Sequence, residues 1–291
     1  MDTSPRKSKG IKLIECPRDA MQGWKTFIPT EKKIGYINQL LQVGFDTIDF
    51  GSFVSKTAIP QMADTKEVIG ELDVRNSTSK LLAIVANVRG AAEAAAFEKI
   101  TYLGFPFSIS PTFQMRNTNS TIEQSLLNVK EIRHICNANN KELVIYISMA
   151  FGNPYGDEYD ETIVDEWVKK ITDLGINIIS LADTVGVARP EQISRVVKTI
   201  ITQFPAIETG VHLHSTSLNW KEKTDAALQQ GCLRFDGALK GIGGCPMAND
   251  ELVGNMDSEL MIPYFKQLGY LENIDETQLI KASQLATKIF L

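Results

Sequence analysis

Short apolar runs rich in β-branched and aromatic residues alternate along the chain with longer stretches whose apolar positions recur every three or four residues. The short runs predict strands at 12–15, 47–49, 80–85, 105–109, 143–148, 176–181, 211–214 and 234–237. The longer stretches predict amphipathic helices at 31–43, 62–72, 91–100, 122–138, 161–174, 190–204 and 220–230, with two more, 258–268 and 276–289, closing the chain. The stripe is clearest in 161–174, where Ile163, Val164, Trp167, Val168, Ile171 and Leu174 fall on one face. Thr30 and Asp160 stand where N-caps belong, and Pro263 predicts a bend in the first closing helix.

Strands and helices alternating without a break in composition predict an α/β fold. The expected architecture is one (β/α)8 TIM barrel over residues 1–291 with additional C-terminal helices, rather than an open doubly wound sheet. A barrel of this kind places its chemistry in the loops that follow the strands. Polar, chemically capable residues stand there: Arg18, Asp19 and Gln22 after the first strand, Asp49 and Ser52 at the end of the second, and Asp183 and Thr184 after the sixth.

Composition narrows the classes. At 43% hydrophobic and 22% charged the chain has material for a large core, and a net charge of -5 argues against a nucleic-acid-binding surface. No apolar run approaches the ~18–20 residues of a membrane span. The first ten residues carry three basic side chains but no apolar core for a signal peptide, so the protein is expected in the cytoplasm. Cys16, Cys136, Cys232 and Cys245 show no CxxC spacing and are expected as reduced thiols, the first three as buried filling. A homodimer is compatible with this reading.

The strongest chemical signal is Gly210-Val211-His212-Leu213-His214, which holds two of the three histidines. Alternate side chains of a strand share a face about 6.5–7 Å apart, so both imidazoles can reach one divalent cation. Asp19 is the natural third ligand, and an amide oxygen such as that of Asn255 would complete an oxygen-rich site for Mg²⁺, Mn²⁺, Fe²⁺ or Zn²⁺. Two imidazoles and a carboxylate also form the ligand set of non-haem iron oxygenases. Arg18 offers a fixed planar fork for an oxyanion such as an enolate. Cys245 lies among Gly241, Gly243, Gly244 and Pro246, in a loop able to bend over a site. Its thiol can serve as acid or base near a cation. Tyr146 and Thr184 are candidates for the substrate wall, whereas His134 belongs to a solvated helix face.

These residues resemble the metal-dependent DRE-TIM metallolyases, and within them the hydroxymethylglutaryl-CoA lyase branch. The resemblance rests on ECPRDAMQG, IDFGSFVSKTAIPQMAD, NTNSTIEQS, SLADTVGV, VHLHST and GIGGCP followed by Gly254-Asn255, in family order over nearly the whole chain. It implies a TIM barrel holding Mg²⁺ or Mn²⁺ on Asp19, His212, His214 and Asn255. It also implies enolate stabilisation by Arg18, proton transfer involving Cys245, and an acidic catalytic position at Asp49. The implied reaction is retro-Claisen cleavage of the acyl-CoA thioester 3-hydroxy-3-methylglutaryl-CoA to acetyl-CoA and acetoacetate.

The chain departs from the pattern at Ala20-Met21, at Asp49 where glutamate is usual, at Lys56-Thr57-Ala58 in an entrance loop, and at Ser215. It also carries one residue more than expected between Cys245 and Asn255. A related 3-hydroxyacyl-CoA or another acyl group is therefore left open. The nearest rival is a Claisen-condensing synthase or aldolase of the same superfamily acting on a 2-oxo acid. The GGCP loop and the end of the chain at Leu291, without a long regulatory region, count against it. An oxygenase and a non-catalytic barrel that binds CoA esters are more distant alternatives.

Overall fold

A computed structural model describes residues 10–244 and 253–291. Eight parallel strands close on themselves in sequence order. They are β1 (Lys12–Glu15), β2 (Thr47–Phe53), β3 (Lys80–Val85), β4 (Ile100–Ser108), β5 (Glu142–Ser148), β6 (Ile178–Ala182), β7 (Glu208–His212) and β8 (Arg234–Gly237). The first half of the barrel carries α1 (Pro17–Gln22), α2 (Thr30–Leu40), α3 (Thr65–Glu71), α4 (Val88–Ala95) and α5 (Pro111–Thr118). The second half carries α6 (Ile122–Ala138), α7 (Glu161–Thr172), α8 (Pro190–Gln203) and α9 (Trp220–Leu228), and α10 (Ser258–Gln267) and α11 (Glu276–Phe290) follow β8. The expected TIM barrel with C-terminal helices is the observed fold.

Two apolar layers follow from the period-two alternation of strand side chains. Leu82, Ile84, Tyr102, Val144, Tyr146 and Ile178 fill the inside of the barrel. The residues between them, such as Leu81, Leu103, Ile145 and Ile179, join the larger core beneath the helices. The stripe of α7 packs there as expected, burying Val164, Val168 and Ile171, with Trp167 against Phe107 at 5.3 Å. Each such side chain contributes about 1.5–3 kcal/mol by leaving water.

Several boundaries differ from expectation for local reasons. β4 begins at Ile100, five residues early, because Gly104 is a strand position: a Cβ there would sit 2.6 Å from Ile84 Cδ1 on the neighbouring strand. β2 runs on to Phe53 through a register shift between Asp49 and Gly51, so Asp49 lies within the strand rather than at its end. β7 stops at His212, and His214 pairs instead with Asn255 in an isolated bridge. Thr30 opens α2 without capping it, its hydroxyl donating to Asp64, whereas Asp160 caps α7 through the Thr162 N–H. α10 runs through Pro263 unbroken. Among the described residues, no helix is long and apolar enough to cross a membrane.

Closure depends on β1, which pairs with β2 on one side and β8 on the other. Buried Glu15 locks that seam, accepting hydrogen bonds from the Leu239 N–H (2.8 Å) and Ser258 Oγ (2.6 Å). Burial pushes its carboxyl up to about 8, against the pull of those two bonds. The folded protein therefore binds this proton up to about pH 8, whereas an unfolded glutamate releases it near its reference value of about 4.3. The sign follows: stability falls as pH rises through that window. Between about pH 5 and pH 8, wild type should lose on the order of a few kcal/mol of unfolding free energy relative to Glu15→Gln. Urea denaturation at both pH values checks this; identical slopes for the two proteins would exclude the buried proton.

Candidate active site

β1 passes directly into α1, with Pro17 at the first helical position, where its missing N–H costs nothing. The turn puts Arg18 and Asp19 at the mouth of the barrel. Arg18 Nε lies 3.2 and 3.0 Å from the two Asp49 oxygens and Nη2 also donates to Asp49, while Nη1 donates to Asp19 (3.1 Å) and Gln22 Oε1 (2.9 Å). Of the five guanidinium N–H groups, these bonds leave one on Nη2 for a ligand. Gln22 Nε2 returns a bond to Asp19 at 2.6 Å.

The charges are tuned by this packing. Burial works against the Arg18 cation, but Asp49 and Asp19 outweigh it and raise its pKa. Burial likewise pushes Asp19 up, but Arg18 and the two imidazoles win and hold it lowered to about 2. Asp49 is pushed up to about 6 by burial, with Arg18 pulling the other way. At neutral pH the guanidinium and both carboxylates are ionised.

His212 and His214 stand across the mouth, ring centroids 5.3 Å apart. His212 Nδ1 lies 3.1 Å from Asp236 Oδ2, and His214 Nδ1 lies 2.8 Å from the Val253 carbonyl. Acceptors on both Nδ1 atoms call for N–H there and leave Nε2 as the lone-pair donor of each ring. One donor atom each from Asp19, His212 and His214 lies within 4.8 Å of the others. Burial lowers the pKa of His214, as does its neighbour His212; for His212 burial pulls down, but Asp236 outweighs it and the pKa rises. A carboxylate and two imidazoles with engaged far nitrogens fit a divalent cation.

Asn255 Nδ2 donates to Asp19 Oδ2 (2.7 Å) and to the Ile242 carbonyl (2.9 Å), so it is the amide nitrogen that meets Asp19. Gly243 makes the approach possible: a Cβ there would fall 2.3 Å from Asn255 Nδ2, and its φ of +118° suits glycine. Behind the histidines, fully buried Lys223 of α9 donates to Asp183 Oδ2 (2.8 Å) and the His214 carbonyl (2.7 Å).

Arg18, Asp19, His212 and His214 form the floor of a cavity of about 400 Å³, within the range of ligand pockets. Arg18, Asp19, Gln22, Tyr146, Thr184, His212 and His214 all line it. Thr184 already accepts the Met149 N–H at 3.0 Å, and Tyr146 meets the His212 ring edge-on at 5.9 Å. Asp49 does not line the cavity but lies sealed beneath Arg18, and Asn255 sits behind Asp19. Cys245 lies outside the described residues. His134 is exposed on α6, away from the mouth, and Cys16, Cys136 and Cys232 are buried free thiols, as expected. Sequence reasoning missed Asp236, and Arg116 and Ser148, which also line the cavity. For Asp236 the signal was present: Arg234-Phe235-Asp236 alternates charge and aromatic ring within a four-residue strand.

A family model described as HMGL-like matches residues 11–286. The chain is 32% identical over 281 residues to the cytoplasmic 3-hydroxy-3-methylglutaryl-CoA lyase of Rattus norvegicus, covering 96% of this chain and 80% of the relative. It is 31% identical over 271 residues to the hydroxymethylglutaryl-CoA lyase YngG of Bacillus subtilis, covering 92% and 89%. A solved HMG-CoA lyase from Acinetobacter baumannii, in complex with coenzyme A and 3-methylmalate, matches with a TM-score of 0.88 and 32% identity over 96% of this chain and 90% of that one.

Gly243→Ala should drive Asn255 off Asp19 and weaken Mn²⁺ affinity by tenfold or more, on the scale of lost support around a metal site. Gly35→Ala, where a Cβ meets nothing within 4 Å on α2, is the control and should bind as wild type does. Titration of Mn²⁺ by electron paramagnetic resonance checks both.

Proposed function

The chain belongs to the HMGL-like family of carbon–carbon lyases, and we propose that it cleaves 3-hydroxy-3-methylglutaryl-CoA to acetyl-CoA and acetoacetate with a divalent metal, Mg²⁺ or Mn²⁺. The observation that carries this reading is the convergence of Asp19 and two imidazoles with engaged Nδ1 atoms on one edge of an acyl-sized cavity, beside a fixed guanidinium.

The reaction needs a base for the tertiary hydroxyl proton. It needs a sink for the electron pair released as the carbon–carbon bond breaks, and an acid to return a proton to the thioester enolate. When bound, the cation held by Asp19, His212, His214 and the Asn255 amide oxygen supplies Lewis-acid polarisation of the substrate oxygens. The Asn255 amide presents its nitrogen to Asp19 in the structure, so ligation by its oxygen calls for rotation about the side-chain amide. Arg18 offers its remaining N–H to the developing enolate oxygen. Asp49 acts through Arg18, keeping the fork charged and aimed. Cys245 is assigned the proton transfer, from its place in the glycine loop after β8. Gln22, Tyr146 and Thr184 form the wall against the acyl group.

A second substrate is favoured by one specific observation. The Acinetobacter baumannii relative holds 3-methylmalate beside coenzyme A, so other 3-hydroxyacyl-CoA thioesters are included in the reading. The cytoplasm is the proposed compartment, supported by the bacterial relative.

Purified protein given 3-hydroxy-3-methylglutaryl-CoA and Mn²⁺ should release acetoacetate and acetyl-CoA, and EDTA should stop it. No cleavage of this or of 3-methylmalyl-CoA by metal-loaded protein would refute the substrate assignment. Cys245→Ala should keep Mn²⁺ affinity while losing about 10²–10⁴-fold in turnover, whereas His212→Ala should lose both. Equal metal loss in the two variants would remove Cys245 from the proton path.

A further inference from the structure

Beneath the mouth, β8 points two charged side chains into the barrel, Arg234 and Asp236, both buried. Arg234 fits only because β7 carries Gly210 opposite it, where a Cβ would lie 2.8 Å from the Arg234 Cδ. Asp236 reaches upward, and its Oδ2 lies 3.1 Å from His212 Nδ1. Its Oδ1 is buried and has no hydrogen-bond partner among the described residues. Burying a carboxylate costs several kcal/mol unless something is gained from it.

The gain lies in what an acceptor-only group imposes on an imidazole. A neutral ring can carry its proton on either nitrogen, and only the Nδ1–H form leaves Nε2 able to donate a lone pair toward Asp19 and His214. His214 is held in that form by a neutral carbonyl, that of Val253, whereas His212 faces a full negative charge. A carboxylate behind a ligating imidazole both fixes its tautomer and increases its basicity. Asp236 sits on the Nδ1 side of the ring, the side away from the proposed ligating nitrogen.

We propose that Asp236 is a positioning residue that fixes His212 in the Nδ1–H tautomer and so sets the affinity of the divalent-cation site. This rests on the cation-binding part of the function proposed above and not on the identity of the acyl group. The Cys16 thiol shares the corner: one donor atom each from Cys16, His212 and Asp236 lies within 4.8 Å of the others. That arrangement offers a rival, a second cation on the Nδ1 side with Asp236 as a direct ligand.

The test uses the full chain labelled with ¹⁵N-histidine. With only three histidines, the ring signals are assignable with His134→Gln and His212→Gln variants. In the metal-free protein at alkaline pH, wild-type His212 should show the Nδ1–H pattern. In Asp236→Asn, whose amide can donate to Nδ1, it should move toward Nε2–H while His214 keeps its wild-type pattern. Mn²⁺ should bind wild type at one per chain, and Asp236→Asn about 10–100-fold more weakly. An Nε2–H His212 in wild type overturns the proposal even if the variant fails to fold. So does unchanged Mn²⁺ affinity in a folded variant, or a second bound cation that disappears with Asp236. Wild type that binds Mn²⁺ with the expected tautomer yet cleaves no thioester would fail the substrate reading alone.

Discussion

Closing eight strands into a barrel leaves alternate side chains of every strand no route to bulk water except the open end. Along the middle strands this constraint is met by Leu82, Ile84, Tyr102, Val144, Tyr146 and Ile178. At Asp49, His212, Arg234 and Asp236 it is met by polar groups, each of which must find partners inside or bear the cost of desolvation. The geometry of the mouth follows from how those partners are found. Asp49 binds Arg18 through both oxygens, Asp236 takes one edge of His212, and Asn255 takes Asp19. Turning Arg18 or His212 would strip a buried carboxylate of its hydrogen-bond partner. The floor is therefore pre-arranged rather than induced.

The same enclosure sets the charge balance. Among the described residues, Asp19, Asp49 and Asp236 have two guanidinium groups near them, Arg18 and Arg234, and Arg234 also answers to Glu208 at 3.2 Å. A surplus of carboxylate around two imidazoles with outward lone pairs is an environment that a divalent cation improves, because it replaces hydration lost on burial. The low pKa of Asp19 is a symptom of this field: burial alone would raise it, and Arg18, the two imidazoles and the Asn255 hydrogen bond bring it down to about 2. The retained negative charge is available to a metal at any ordinary pH.

How much of this was legible in the sequence depended on the range of the interaction. Period-two and period-3.6 patterns are local, and they located every strand and, with shifted limits, the long helices. Short elements that start at proline, α1 and α5, are too brief for a periodic signal: α1 falls in a stretch expected as loop, and no element is expected over α5. Gly104 looks like a strand breaker in isolation but is required where Ile84 and Tyr146 crowd the neighbouring strands. The HxH pair and the Arg18-Asp19 step were visible because their chemistry is compact in sequence. Asp236 shows only the local alternation of charge and ring in β8, and its significance lies 24 residues away at His212. Asp49 was found but misplaced, since a register shift inside β2 is invisible in a seven-residue strand.

The buried Lys223–Asp183 pair shows why such costly interactions persist at the rim of the site. Replacing a buried ion pair with apolar side chains of similar volume is often neutral or stabilising, so stability is a weak reason to keep it. Apolar substitutes could not donate to the His214 carbonyl, however, and Lys223 does so at 2.7 Å while also reaching Gly186 at 3.3 Å. His214 has left the β7 ladder at this point, and among the described residues its sheet-like pairing is the isolated bridge to Asn255. An ammonium clamped by Asp183 replaces the missing strand neighbour from behind, while the Val253 carbonyl fixes the ring from the side. The backbone beyond β7 is thereby held where regular sheet hydrogen bonding has ended, and the second imidazole can stand beside the first without a strand to carry it.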